Sequence, residues 1–279
     1  MPGPDRGTHY AWARPQSHPA GTTTPQGPVN AQYTHSPAPG SQGDLPPGNG
    51  SVMHSVTISL VYWLPNGNHF ESTASRDAAF ENLQQRWVQD AGGTPYYNLL
   101  SQYFDGSGHI ANSVVFGSSF VDTRAYPHAG TTTDPLTAAD LRDEVAHAVA
   151  VNHLTEDSTH ITAVFTARDI QECDNINQDG GCTYTDTGVH VHAYCAYHSH
   201  FNDNGNDAIY AFMGNDDGSH GTSSCDVNVS PTPNNDVAAD SEISTLSHEV
   251  IEAATDPHPN DTWTDPDKNT GGEIGDKCA

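Results

Sequence analysis

A chain of 279 residues is long enough to bury one good-sized core, and 35 acidic against nine basic side chains give it a formal net charge of −26. That balance excludes a nucleic-acid binder, since no basic stripe exists to displace phosphate counterions, and it disfavours anionic membrane surfaces. No run of about 18 apolar residues occurs, so no segment has the make-up of a helix inserted in a membrane.

Residues 1–52 hold ten of the nineteen prolines, mixed with Gly, Thr, Ser and Gln. Such a stretch cannot bury enough apolar surface to offset its ordering entropy. It is therefore expected to be a disordered tail or linker, with the domain spanning 53–279. Its start, Met1-Pro2-Gly3-Pro4-Asp5, lacks the apolar core of a signal peptide.

Regular structure is expected from Val56. The β-rich run Val56–Trp63 ends at Pro65-Asn66-Gly67 and predicts a first strand. A helix opens at Ser75, with Phe80, Leu83, Trp87 and Val88 at helical spacing, and a second short helix is expected from Pro95 to Phe104. Residues Ile110–Val121 read as a strand. Thr137 is a good N-cap with Asp140 at the third helical position, and Leu141, Val145, Ala148 and Val149 form the apolar face of the helix that follows.

Ile161–Thr166 predicts a third strand. From 189 to 201 the sequence alternates: Val189, Val191, Ala193, Cys195, Tyr197 and Phe201 on one face, His190, His192, Tyr194, His198 and His200 on the other. The plain reading of those histidines is a solvated sheet edge; the sharper one is that His198 or His200 faces a cleft and stabilises an oxyanion. Ala208–Met213 makes one more strand before a helix at Asp240–Thr255. The order predicts an α+β domain with a mixed sheet and a late helix packed beneath it. Zincin domains share that plan, a likeness of fold that cannot by itself establish chemistry.

The late helix contains His248-Glu249-Val250-Ile251-Glu252, a zincin motif with glutamate in place of the second histidine. Each helical residue advances about 100°, which sets Glu252 about 40° and Glu249 about 100° round from His248. Leu246, Val250 and Ala253 lie opposite, with Ile243 and Ala254 beside them. One arc can thus bind Zn²⁺ while the other buries. His248 and Glu252 are the candidate ligands, and Glu249 is the candidate general base toward water. The same spacing also arises on solvated helix faces. Two features favour metal: the good apolar arc, and the further ligand types that follow in Asp256, His258, Asp265, Asp267, Glu273 and Asp276.

Catalytic zinc usually takes three protein ligands plus water. His258 stands at the metzincin spacing, but Pro257 and Pro259 flank it. A later carboxylate is preferred as third ligand, Asp276 first and Glu273 next. Asp265, Asp267 and Asn269 offer oxygens at alternate positions, as calcium loops do, although a plain acidic turn has the same residues. Asn175, Asn177, Asp179 and Gly180 imitate such a loop too, but read better as a turn closed by a Cys173–Cys182 disulfide. Of five cysteines none forms a C-x-x-C pair, so disulfides and an oxidising compartment are expected, with one cysteine left over. Only two lysines, Lys268 and Lys277, amid abundant Gly, Ser, Thr and Asn also suit a protein working outside the cell.

Four features in order resemble the EXORDIUM-like (phosphate-induced protein 1) family. They are the Val56–Trp63 start, Thr162-Ala163-Val164-Phe165-Thr166-Ala167-Arg168-Asp169-Ile170 before Cys173, the Ala208–Asn215 run before Cys225, and Thr255-Asp256-Pro257. The resemblance covers most of 55–279 and implies an extracellular protein. The plant members carry Thr-Asn-Pro at the last motif and lack the preceding His-Glu-x-x-Glu, so this chain resembles a microbial-type relative that keeps a metal site. Cys278 matches a family cysteine, and family members continue beyond this point, which implies truncation at the C-terminus. Two functions are expected to compete: a secreted zinc metallopeptidase acting on peptide or protein substrates, and a non-enzymatic extracellular or cell-wall-associated module with structural or no metal.

Overall fold

The computed structural model describes residues 45–71, 73–173, 181–183, 194–215, 225, 231–265 and 272–276. Its elements run β1 (Val56–Trp63), α1 (Ala74–Ala91), a 3₁₀ turn (Tyr97–Gln102), β2 (Phe104–Asp105), β3 (Gly108–His109), β4 (Val114–Asp122), β5 (Leu136–Thr137), α2 (Ala138–Asn152), β6 (His160–Thr166), β7 (Glu172–Cys173), β8 (Ala196–Asp203), β9 (Asn206–Met213) and α3 (Val237–Thr255). Five strands form one mixed sheet in the order β4-β1-β6-β9-β8. The first four are parallel, and β8 joins the edge antiparallel to β9.

Alternation along the strands divides the core in two. Ile58, Leu60 and Tyr62 of β1, Ala163 and Phe165 of β6, and Ile209, Ala211 and Met213 of β9 pack with α1 and α3. Val61, Trp63, Val164, Tyr210 and Phe212 face the other way and pack with α2. The sheet is thus covered on both faces, as parallel strands require. Thr137 caps α2 reciprocally with Asp140, and Leu141, Val145, Ala148 and Val149 are buried, as the sequence predicts.

The β8–β9 hairpin turns on Asn204 (φ 49°) and Gly205 (φ 99°), the left-handed pair that a two-residue hairpin of native twist demands. Its strand differs from expectation. It begins at Ala196 instead of 189, and Tyr194 does not share the histidine face. The Tyr194 ring joins Tyr197 in the α2-side core, and its hydroxyl donates to the buried Glu172. Alternation fails there because Tyr194 precedes the strand and is not bound by its pleat. His190 and His192 lie outside the described residues, as does the calcium-like stretch Asn175–Gly180.

Other boundaries shift: the strand expected at Ile110–Val121 runs Val114–Asp122, and the helix expected from Asp240 begins at Val237. The expected second helix is only a 3₁₀ turn, and its last residue, Phe104, instead starts the small β2–β3 hairpin. The domain also begins earlier than residue 53. Leu45, Val52 and Met53 are buried; Met53 N donates to Ala254 O at 2.9 Å, and Gly50 N donates to Asp261 O at 3.0 Å. A Cβ on Gly48 would stand 2.3 Å from Asp261 O, so glycine lets this segment lie directly against the loop after α3. Residues 1–44 lie outside the described residues.

Among the described residues there are two disulfides. Cys173–Cys182 is the expected pair, and Cys195–Cys225 ties the start of β8 to a residue 30 positions on. Cys278 lies outside the described residues. Among the described residues no helix is long and apolar enough to cross a membrane. Closing the Cys195–Cys225 loop, with its sequence separation of 30, restrains the unfolded chain by about 3–4 kcal/mol. The Cys195→Ser/Cys225→Ser double variant is expected to lose about that much stability in equilibrium urea unfolding.

Candidate metal centre

Helix α3 carries the site. Asp236 caps its N-terminus by accepting from Ala239 N at 3.1 Å, and Asp236 also pairs with Arg76 of α1 at 3.1 Å. Leu246, Val250, Ala253 and Ala254 fix the helix to the sheet. Ile243, expected beside them, is only partly buried. The opposite arc is not a solvated face. Glu249 and Glu252 are 0 % exposed, and the His248 side chain is 14 % exposed. Buried carboxylates are costly unless paired or bound to cations, so this arc is built for partners.

Those partners arrive from two directions. The segment 272–276 crosses α3, brought there by Asp265 N and Thr264 Oγ1, which donate to Gly272 O at 2.7 and 2.8 Å. Asp276 N donates to Glu252 Oε1 at 3.3 Å, and Asp276 Oδ2 accepts from Gly272 N at 3.2 Å. Asp276 Oδ1 then stands 3.6 Å from His248 Nε2. Glu252 Oε1 is 2.8 Å from the same nitrogen, yet the contact lacks hydrogen-bond alignment: His248 Nε2 has no hydrogen-bond partner among the described residues. At that distance the protonated imidazole and the carboxylate form an ion pair, and the same two atoms are near enough to share one cation. Tetrahedral zinc bonds of about 2 Å put ligand atoms about 3.3 Å apart. The helical spacing anticipates the approach of His248 and Glu252, and Asp276, preferred as a later carboxylate, lies beside them.

From the other side comes His198 of β8, fully buried against α3. Its Nδ1 lies 3.2 Å from Glu249 Oε2 and 3.7 Å from Glu252 Oε2, while Nε2 lies 3.1 Å from Asp256 O. The solvated edge preferred for this strand is thus wrong for His198, because α3 packs directly over the antiparallel edge strand. Glu273, 0 % exposed, lies 3.6 Å from His198 Nε2 through Oε1, so it faces His198 while Asp276 serves His248.

Other candidates have different work. Asp256 accepts from the backbone N–H groups of Asn260, Asp261 and Thr262 at 2.7, 3.1 and 2.8 Å and so holds the turn after α3. His258 joins a separate cluster. Its Nε2 lies 2.6 Å from Asp207 Oδ2, and its ring stacks on His200 at 3.9 Å. Of the calcium candidates, Asp265 is described and tied to Gly272; Asp267 and Asn269 lie outside the described residues.

The electrostatics reflect crowding of like charge. Burial favours the neutral imidazole at His248, but Glu252, Glu249 and Asp276 outweigh it and push the group up to about 10. Burial, with Glu252 next, pushes Asp276 up to about 7. Glu273 is raised well above the usual carboxylate range, by burial first and then by Glu252, Asp256, Glu249 and Asp276. Glu249 is raised by burial against the opposing pull of His198. A divalent cation among these groups would replace their protons and relieve their mutual repulsion.

Compared with protein-family models, curated proteins and solved structures, the chain matches none of them.

Proposed function

We propose that this protein is a zinc-dependent metallopeptidase that works outside the cell on peptide or protein substrates. The observation that carries the reading is the convergence on one point of His248 Nε2, Glu252 Oε1 at 2.8 Å and Asp276 Oδ1 at 3.6 Å. Asp276 Oδ1 supplies the third ligand atom, and all three lie within 4.8 Å of one another. When bound there, zinc supplies Lewis acidity toward a carbonyl oxygen and lowers the pKa of water.

The chain's own part falls to Glu249. Its Oε2 is anchored by His198, whereas its Oε1 is buried without a hydrogen-bond partner among the described residues. One oxygen is thus fixed and the other is left to accept a proton, which suits a general base. Burial raises its affinity for that proton. His198 acts through Glu249 as a positioning residue. The architecture agrees by analogy with zincin domains: a sheet, a metal helix packed on it, and the antiparallel edge strand β8 beside the site. Two disulfides suit an oxidising compartment.

One observation favours a second reading, a non-enzymatic extracellular module of EXORDIUM-like kind with a structural metal. His248 Nε2, Glu249 Oε1 and Asp276 Oδ1 are all shielded from solvent, and structural zinc sites are closed where catalytic ones keep an open position. Under the peptidase reading the 272–276 segment therefore has to shift to admit substrate.

Glu249→Gln separates the two. The variant is expected to keep its zinc by elemental analysis while hydrolysis of a fluorescently labelled unfolded protein drops at least about 100-fold. Zinc-loaded wild type that hydrolyses nothing, yet unfolds when chelated, would establish the structural reading instead.

A further inference from the structure

We infer that the site holds two divalent cations bridged by the Glu252 carboxylate. This deepens the metal-site reading and rests on it. Two triads share that one residue: His248, Glu252 and Asp276 on one side, and His198, Glu252 and Glu273 on the other. In each, one ligand atom per residue lies within 4.8 Å of the rest. Glu252 divides its oxygens between them. Oε1 is 2.8 Å from His248 Nε2, and Oε2 is 3.7 Å from His198 Nδ1. A carboxylate offering one oxygen to each of two ions spans the separation of about 3.5–4 Å typical of two-metal sites.

His198 is oriented for this task. The carbonyl of Asp256, 3.1 Å from Nε2, can only accept, so Nε2 carries a hydrogen, and a cation at Nδ1 would take the place of the proton that Nδ1 gives to Glu249 Oε2 at 3.2 Å; Glu273 Oε1 lies 3.6 Å from Nε2. A backbone carbonyl holding the far nitrogen is the usual support behind a metal-binding imidazole. Glu249 Oε2, 3.2 Å from Nδ1, borders the second position too. Each triad is one imidazole plus carboxylates, and two divalent ions would match the four charges of Glu249, Glu252, Glu273 and Asp276 with both imidazoles neutral.

The His200–Asp207–His258 cluster is the obvious competitor for a second ion. The rings stack 3.9 Å apart at 20° and, like Asp207, are only partly buried, so this cluster lacks the buried carboxylate charge of the α3 site. Each ring already meets its own oxygen of Asp207, at 3.2 and 2.6 Å.

Metal content decides the matter. Protein loaded with Zn²⁺ and dialysed against metal-free buffer is expected to retain two equivalents per chain by elemental analysis. Glu273→Gln should retain one and His258→Gln two. One equivalent in the wild type overturns the bridged pair and leaves the single-zinc reading standing; none overturns both. A second equivalent that survives Glu273→Gln but is lost in His258→Gln also overturns it. A readout that needs no variant is the wild type saturated with Mn²⁺. An exchange-coupled electron paramagnetic resonance spectrum is expected, and the spectrum of isolated ions at saturation would overturn the pair.

Discussion

Replacing Glu252 with glutamine is expected to abolish zinc binding and with it the protein's response to chelator. Glu252 touches both imidazoles of the site, His248 through Oε1 and His198 through Oε2. A neutral amide can still accept from Asp276 N, so the backbone contact at 3.3 Å survives the change. What disappears is the charge. In the metal-loaded wild type, free zinc at 1,000 times its dissociation constant stabilises the fold by about 4 kcal/mol. For a domain of this size that corresponds to about 8–16 °C in melting temperature. Wild type is expected to lose that increment in chelator, and Glu252→Gln to show no zinc-dependent shift at all. With chelator present the variant should melt at or above the wild type, since Glu252 raises the pKa of Glu273 and Asp276 by repulsion. Scanning calorimetry with zinc and with chelator reads both. A Glu252 that served only as a hydrogen-bond acceptor would give equal shifts in the two buffers.

The parts of this molecule that sequence periodicity can report are those fixed by local rules. Val56–Trp63 has the same bounds in structure as in pattern, because β-branched and aromatic residues end at a Pro-Asn-Gly turn. The Thr137–Asp140 capping box is a contact between residues three apart, so no tertiary information is needed to foresee it. The spacing of His248 and Glu252 brings them together on one helical arc for the same reason. Its neighbours were harder to read. Nothing local says that β8 is an edge strand lying under α3, so the alternation that put His198 and His200 on one face left open whether that face was wet. The Asn204-Gly205 pair marks the hairpin and would have moved the strand to its observed register. Asp256 offered the chemistry of a ligand, but three backbone N–H groups of its own turn claim it. Burial of Leu45, Val52 and Met53 depends on the loop at Asp261, more than two hundred residues away in sequence, and a proline-rich composition hides it.

Gly275→Ala is expected to weaken zinc binding by at least about 100-fold while leaving the fold intact. A Cβ at this position would stand 2.6 Å from His248 Nε2, 2.7 Å from Glu252 Oε1 and 2.7 Å from His248 Cδ2. The methyl group would therefore lie against the ligand atoms themselves, in the space an ion must use. Gly275 is not among the residues of positive φ, so alanine carries no backbone penalty here and the effect is one of contact alone. The clash is relieved most cheaply by rotating His248 and Glu252, which are side-chain ends; the helix beneath stays anchored by Leu246 and Val250. Every such rotation takes ligand atoms out of position, and losing the contribution of one ligand, about 3 kcal/mol, is a factor of about 100 in affinity. Isothermal titration with zinc reads the loss, and urea unfolding in chelator should change by no more than about 1 kcal/mol, because the clash falls on the ends of side chains and leaves the backbone and the helix packing in place. Unaltered zinc affinity in this variant would mean that the ion, if one binds, sits away from the His248–Glu252 pair, and the role given to Asp276 would fall with it.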